Sequence, residues 1–413
     1  MENVNRALTA SEAAELLGVK PATLYAYVSR GLVQRERGPD GHSRFLVSDL
    51  EQLGRRSRAA GRAPAELPIE SAITAVGGGS IFYRGEDALG LARERSFEEV
   101  AGWLWVGAFA AREAWHPDPE GARMASAVQA VLPAEALPLD RLRVSAAALA
   151  AADPMRYNTR EDAVVVTGRR LLSALAGSLP RRLRGAPPAL RSPAAAPLAG
   201  SVAGLMWAGL AARRPPPGAL EALNAGLVLA ADHELSTSTL TARLAASIRA
   251  DPYSVVSVGL CALGGVMQPV ASLAAESLLA QIEAPELAAR VIGERLREGQ
   301  RLPGFGHALH RAGDPRAVLL LEMIGQAYPD SARLRVVESV LKATRERGLP
   351  AANIDFALAS LTHVAGLVHG ASEAIYALGR SAGWLAHAIE EYGHRSAIRP
   401  RAIYVGVPVG PER

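Results

Sequence analysis

The sequence predicts an all-α protein in two parts, a small helix-turn-helix module ahead of a large helical domain, and three observations lead there. Residues 7–53 carry a short helical pattern with its own start and stop signals. The stretch GRRSRAAGRAPAELP that follows has no apolar periodicity, so residues 54–66 read as a linker. Beyond it, 67–413 holds long Ala/Leu-rich segments such as RLRVSAAALAAAD, EALNAGLVLAADHE and LTARLAASIRAD, all strong helix formers and longer than ordinary strands. The proline-rich runs RGAPPALRSPAAAPLAG and RRPPPG interrupt that pattern and read as surface loops or helix starts.

Within the front module, Thr9-Ala-Ser-Glu12 has the spacing of a capping box, and the helix it opens stops at Gly18. A second helix starts near Pro21. Its apolar Leu24 and Val28 lie one turn apart and, with Leu17, let the two helices pack across a short turn. The stretch TASEAAELLGVKPATLYAYVSRGLV, with RERGPDGHSRFLVSDLEQL after it, resembles the winged helix-turn-helix of the mercury-resistance-regulator (MerR) family. If the second helix enters a major groove, Lys20, Thr23 and Tyr25 lie near its leading end, while Arg37 and Arg44 of the wing reach phosphates. Tyr27 reads as packing. Residues 1–62 hold ten Lys/Arg against seven Asp/Glu, so +3 of the formal +4 is local to this module. A protein-contact role for so small a unit is the alternative.

Over 413 residues, nearly half of them hydrophobic, the chain is long enough to bury a large core. The N-terminus lacks the basic-then-apolar order of a secretion signal, and no charge-free apolar run reaches membrane-spanning length, so the expectation is a cytoplasmic protein. The single cysteine, Cys261, excludes an internal disulfide and reads as core within VGLCALGG. The histidines have no convincing metal-ligand spacing, and there is no phosphate-binding glycine loop after a strand, so neither a metal nor a permanently bound cofactor is expected.

Three segments carry chemistry. LPGFGHALHRAGDPR places His307 between glycine-rich backbone and a charged turn, a setting in which a small polar ligand approaches the main chain. Asp232-His233-Glu234 lies between two apolar helical stretches, where unpaired charge is costly, although for a DHE alone a helix end with solvated acids is the favoured reading. Asn353-Ile354-Asp355-Phe356 sets an acid among apolar residues, which raises a carboxyl pKa and suits proton abstraction; a helix N-cap is the other reading.

Together these segments resemble the citrate synthase family: Gly304-Phe305-Gly306-His307 through Asp314-Pro315-Arg316, the DHE followed by Asp251-Pro252-Tyr253, Asn353-Ile354-Asp355-Phe356, GRSAGWLAHAIEE and IRPRAIYVG. AITAVGGGSIFYRGEDALGLARERSFEEVAGWLW is similar to the family's opening segment, so the likeness spans 67–410. It implies the citrate synthase fold, with a small subdomain at about 255–360. It implies condensation of acetyl-CoA or a related acyl-CoA with oxaloacetate, acetyl-CoA being a substrate. By the same resemblance Asp355 is the base that removes a proton from the acetyl methyl, and His307 hydrogen-bonds the oxaloacetate carbonyl. His233, Arg316, Arg380 and Arg399 hold carboxylates, one arginine reaching over from a partner subunit, and Leu302, Pro303, Gly304, Phe305 and Gly306 hold coenzyme A. Family members work as dimers, so a homodimer or a pairing with a paralogue is implied.

One departure stands out. Where the family has GPLHGGA, with a histidine that hydrogen-bonds the thioester oxygen, this chain has Gly265-Val266-Met267-Gln268-Pro269-Val270-Ala271. Gln268 can donate a hydrogen bond to an enolate but cannot exchange a proton at neutral pH. The expectations are therefore an active condensing enzyme, a ligand-sensing regulator that passes its signal to a DNA-binding head, or a non-catalytic partner of an intact paralogue.

Overall fold

The computed structural model describes residues 7–17, 23–24, 27–28, 33–37, 43–46, 50, 69–77, 79–109, 115–116, 118–180, 201–265 and 270–401. By its contacts the chain divides into two compact units, Met1–Glu70 and Ser71–Arg413.

In the first unit, strand β1 (Ala7–Thr9) leads into α1 (Ala10–Leu17), and β2 (Glu36–Arg37) and β3 (Ser43–Leu46) form a hairpin. The antiparallel order is β1-β3-β2, with Leu8 opposite Phe45 and Glu36 opposite Arg44. The capping box is formed in both directions: Thr9 N–H donates to Glu12 Oε2 at 2.8 Å and Glu12 N–H to Thr9 Oγ1 at 3.4 Å. Residues 23–24 and 27–28 are helical, and Ala13, Ala14, Leu24, Val33, Phe45 and Leu50 make a separate small core against which Tyr27 and Val28 pack. That is a winged helix-turn-helix in miniature. Thr23 is half-buried in the second helical segment and Arg44 half-buried in β3. Lys20, Tyr25, the Arg37 side chain and residues 54–66 lie outside the described residues.

The second unit opens on a three-stranded antiparallel meander, β4 (Thr74–Gly77), β5 (Ser80–Tyr83) and β6 (Glu86–Asp87), which the helix-rich reading of the sequence did not anticipate. Helices follow: α2 (Ala88–Glu94), α3 (Phe97–Val106), α4 (Pro119–Val131), α5 (Pro138–Ala152), α6 (Glu161–Ser178), α7 (Val202–Leu210) and α8 (Ala219–Ala230). After them come α9 (Thr237–Ser247), α10 (Pro252–Leu263), α11 (Val270–Ala280), α12 (Ala288–Arg297), α13 (Pro315–Ala327), α14 (Ala332–Glu346), α15 (Ile354–Ala365) and α16 (Ala371–Gly393). Several start on Asp-Pro, where the carboxylate caps the first amides and proline fits the first helical position: Asp118, Asp251 and Asp314 do this for α4, α10 and α13.

Helix α16 is buried along most of its length and packs against α3, α6, α8, α9 and α10. Such an all-round apolar helix is stable only at the centre of a domain. Two of its glycines set the approach to α8: a Cβ on Gly379 would stand 2.5 Å from the Leu227 carbonyl oxygen, and one on Gly383 2.2 Å from that of Ala231.

Cys261 corrects the sequence reading. It is exposed, because α10 turns Val255, Val256, Gly259, Leu260 and Leu263 to the core and leaves Cys261 on the opposite face. Among the described residues no helix is long and apolar enough to cross a membrane.

Candidate active site

Helix α8 ends in the turn Ala231-Asp232-His233-Glu234, in which Asp232 and His233 are buried and Glu234 is exposed with φ +56°. Tyr83 of β5 pins this turn: its hydroxyl lies 3.0 Å from the Val228 carbonyl and 3.1 Å from that of Asp232, and it receives the Asp232 N–H at 3.3 Å. Behind it, the Asp232 carboxylate accepts from Thr74 Oγ1 at 2.6 Å and lies 3.3 Å from His387 Nε2. His387 in turn meets Arg243, which pairs with Glu390 and Glu391. Burial works against the Asp232 charge, but the charges of His387 and Arg380 outweigh it and hold the carboxyl below its usual range. The turn thus rests on a buried polar network rather than on a loose helix end.

The second wall is the loop 302–314. Gly304 and Gly306 have φ of +81° and +83°, and a Cβ on Gly304 would meet Phe356 Cβ at 2.7 Å, so only glycine lets this loop lie against α15. Backbone bonds tie it there: Gly306 N–H to the Ala351 carbonyl at 2.8 Å and Asn353 N–H to that of Gly304 at 2.9 Å. Asn353 Nδ2 donates to the Gly306 carbonyl at 2.9 Å while its Oδ1 caps Asp355 and Phe356. Asn353, not Asp355, is therefore the N-cap of α15. Asp355 is left free to serve in the first turn.

Asp355 is half-buried and accepts from Ser272 Oγ of α11 at 2.6 Å. Burial pushes its carboxyl up, against the lowering effect of Ser272 and of the Arg316 charge. His233, His307 and His310 stand together, with ring centroids 4.9–5.1 Å apart. Burial first, and the Arg316 charge with it, holds all three imidazoles below their ordinary value; His307 is brought down to about 4. A neutral His307 carries one proton. Its Nδ1 accepts the Leu309 N–H at 3.1 Å, so the proton sits on Nε2.

Two buried arginines at the site, Arg316 and Arg380, differ. Arg316 gives Nε and Nη2 to Asp314, at 3.0 and 2.8 Å, a neighbour in the same chain, which leaves the Nη1 edge of the guanidinium. A fully buried guanidinium needs such a partner. Burial disfavours the Asp314 charge, but Arg316 outweighs it and keeps that carboxyl low. Arg380 donates Nε to the Ala230 carbonyl at 2.7 Å and Nη1 to Ser236 at 3.2 Å, lies over the Tyr376 ring, and leaves Nη2 buried without a hydrogen-bond partner. That bare donor suits an anion. Arg399 is exposed in the non-helical stretch after α16. Gln268 with its neighbours 266–269 lies outside the described residues.

Beside this group a cavity of about 500 Å³ is lined by Leu296, Gln300, Arg301, Leu302, Phe305, Gly306, His307, Ala308, Leu349 and Pro350. Leu302, Phe305 and Gly306 are thus among the residues that face it. Pro303 and Gly304 do not line it, Gly304 packing on Phe356 instead.

Residues 66–401 match the family described as citrate synthase, C-terminal domain. The chain belongs to the citrate synthase family. Residues 7–56 match a helix-turn-helix domain. Among curated relatives, citrate synthase 2 of Bacillus subtilis is 37% identical over 199 residues, which is 46% of this chain and 52% of that protein. The 2-methylcitrate synthase of Shewanella oneidensis is 29% identical over 376 residues, covering 87% of this chain and 97% of the relative. In fold, the chain is similar to citrate synthase from Thermotoga maritima (TM-score 0.66, 23% identity, 86% of this chain and 97% of that one). It is equally similar to the Thermoplasma acidophilum citrate synthase solved in a ternary complex with carboxymethyl coenzyme A and oxaloacetate (TM-score 0.66, 22% identity, 86% and 97% coverage).

Sequence reasoning passed over His310, Ser272 and Tyr83. For His310 a signal existed: His307 and His310 are three apart in one short loop, a spacing weighed only for metal binding. Glu373 in the first turn of α16 was also missed. Burial, then the nearby Glu276 of α11, pushes its carboxyl up to about 7; Asp140 and Asp355 add to this and Arg143 opposes it. A folded-state value above the unfolded one favours the protonated fold, so that stabilisation is full at low pH and is lost as pH rises towards and past 7. Glu373→Gln, which keeps the neutral shape, should therefore gain in melting temperature relative to the parent between pH 5 and pH 8. An unchanged gap across that range would contradict the assigned environment.

Proposed function

We propose that this chain condenses a short acyl-CoA with oxaloacetate. Asp355 carries the reading: a carboxyl with a raised pKa, positioned by Ser272 in the helix turn whose Phe356 packs on the loop of His307, is suited to taking a proton from a weak carbon acid. Asp355 takes a proton from the carbon next to the thioester carbonyl, and the enolate attacks the ketone carbon of oxaloacetate. His307 Nε2–H donates to the ketone oxygen as it becomes an alkoxide. Arg380 Nη2, Arg316 and His233 hold carboxylates, and Arg399 of a second copy completes the ligand set in a dimer. The acyl-CoA lies along Leu302, Phe305 and Gly306, with Gln268 as donor to the enolate oxygen. Hydrolysis of the thioester then releases CoA and citrate, or 2-methylcitrate if the acyl group is propionyl, the product class named by the Shewanella relative.

A second reading rests on the separate winged helix-turn-helix: the same pocket senses its ligand for a DNA-binding head that uses Lys20, Thr23, Tyr25, Arg37 and Arg44. CoA release from acetyl-CoA and from propionyl-CoA with oxaloacetate discriminates the two, with Gln268→His alongside. Turnover by the parent protein supports the enzyme and shows that glutamine suffices as donor. No turnover with either acyl-CoA, while oxaloacetate still raises the melting temperature, sinks the catalytic reading in favour of the sensor.

A further inference from the structure

Of the three clustered imidazoles, the reaction outlined above uses His233 and His307 and leaves His310 without a task. His310 is buried, and its Nε2 lies 2.9 Å from Nε2 of His233. At that separation one nitrogen carries the proton and the other offers a lone pair; two N–H groups would clash and two lone pairs would repel. Both rings are neutral, each with a single proton to place. A carboxylate only accepts hydrogen bonds, so a neutral His233 can hold one only through an N–H that His310 does not already face. Its remaining nitrogen is Nδ1.

We propose that His310 is a positioning residue: it donates its Nε2–H to Nε2 of His233 and so fixes the His233 proton on Nδ1, where it meets a carboxylate of the bound dicarboxylate. This rests on the role of His233 given above, yet the hydrogen bond exists without ligand and is testable without turnover. The same logic applies to His307, whose tautomer is set by a backbone amide; His233 has a side chain for that purpose.

The test takes the full chain and reads the His233 tautomer by imidazole nitrogen NMR in the absence of ligand, then oxaloacetate binding by calorimetry and, where there is turnover, KM and kcat. The parent should show His233 protonated on Nδ1. His310→Phe keeps a ring but no nitrogen; it should release that tautomer preference and weaken oxaloacetate by about tenfold, the order of one hydrogen bond, with kcat within about twofold. His310→Gln, whose amide reaches the outer ring position, should recover most of the affinity. A parent His233 protonated on Nε2 overturns the proposal even if a variant fails to fold. So does a folded His310→Phe that binds oxaloacetate as tightly as the parent. If the parent itself does not bind oxaloacetate, the functional reading fails while the tautomer measurement still decides the hydrogen bond.

Discussion

Asp355→Asn should lower kcat by on the order of 10²–10⁴-fold, the range that a positioned general base contributes. It should leave KM for oxaloacetate within about twofold. The side chain keeps its size, and its oxygen still accepts from Ser272 Oγ, so the head of α15 and the loop it holds stay in place. Burial already disfavours the Asp355 charge, and removing it relieves rather than creates an electrostatic cost. The check is paired: initial rates of CoA release, and the rise in melting temperature on adding oxaloacetate. Loss of rate with the thermal shift retained separates chemistry from binding. A variant as active as the parent would remove Asp355 from the mechanism.

Much of this site was legible because its residues announce themselves locally. The Asp-Pro pairs at 251–252 and 314–315, quoted with the family motifs, stand at helix starts, and the glycines of 304–306 mark backbone that must approach something closely. What stayed hidden depends on contacts between residues remote in sequence. The buried chain from Thr74 through Asp232 and His387 to Arg243 and Glu391 crosses four elements, and no spacing in the sequence forecasts it. Arg316 was expected to hold a ligand carboxylate, and nothing in that expectation forecast that its Nε and Nη2 are also held by Asp314, only two residues away. That pairing required knowing that both are buried. The meander at 74–87 was missed for another reason: its strands are two to four residues long, too short for alternation to register. Cys261 misled because apolar neighbours in sequence were taken for apolar neighbours in space, which a helix separates by 100° per residue.

The run Gly379-Arg380-Ser381-Ala382-Gly383 shows why a glycine can matter as much as the charged residue beside it. Gly383→Ala would place a methyl group 2.2 Å from the Ala231 carbonyl oxygen and 2.7 Å from Asp232 Oδ1. Neither neighbour yields cheaply. One is backbone at the end of α8, and the other belongs to a buried network whose Oδ1 already has no hydrogen-bond partner. The helices must separate, at a cost of about 1–3 kcal/mol or more for an overpacked core. Separation also draws Arg380 off the Ala230 carbonyl that aims it, so oxaloacetate binding should weaken along with stability. Gly293→Ala provides the contrast. It lies in the middle of α12 with nothing within 4 Å of the added carbon, and should stabilise by roughly 0.5–1 kcal/mol through helix propensity alone. Melting temperature and oxaloacetate affinity of the two variants decide the point. If Gly383→Ala melts like the parent and binds as well, the close approach of α16 to α8 is not what positions Arg380.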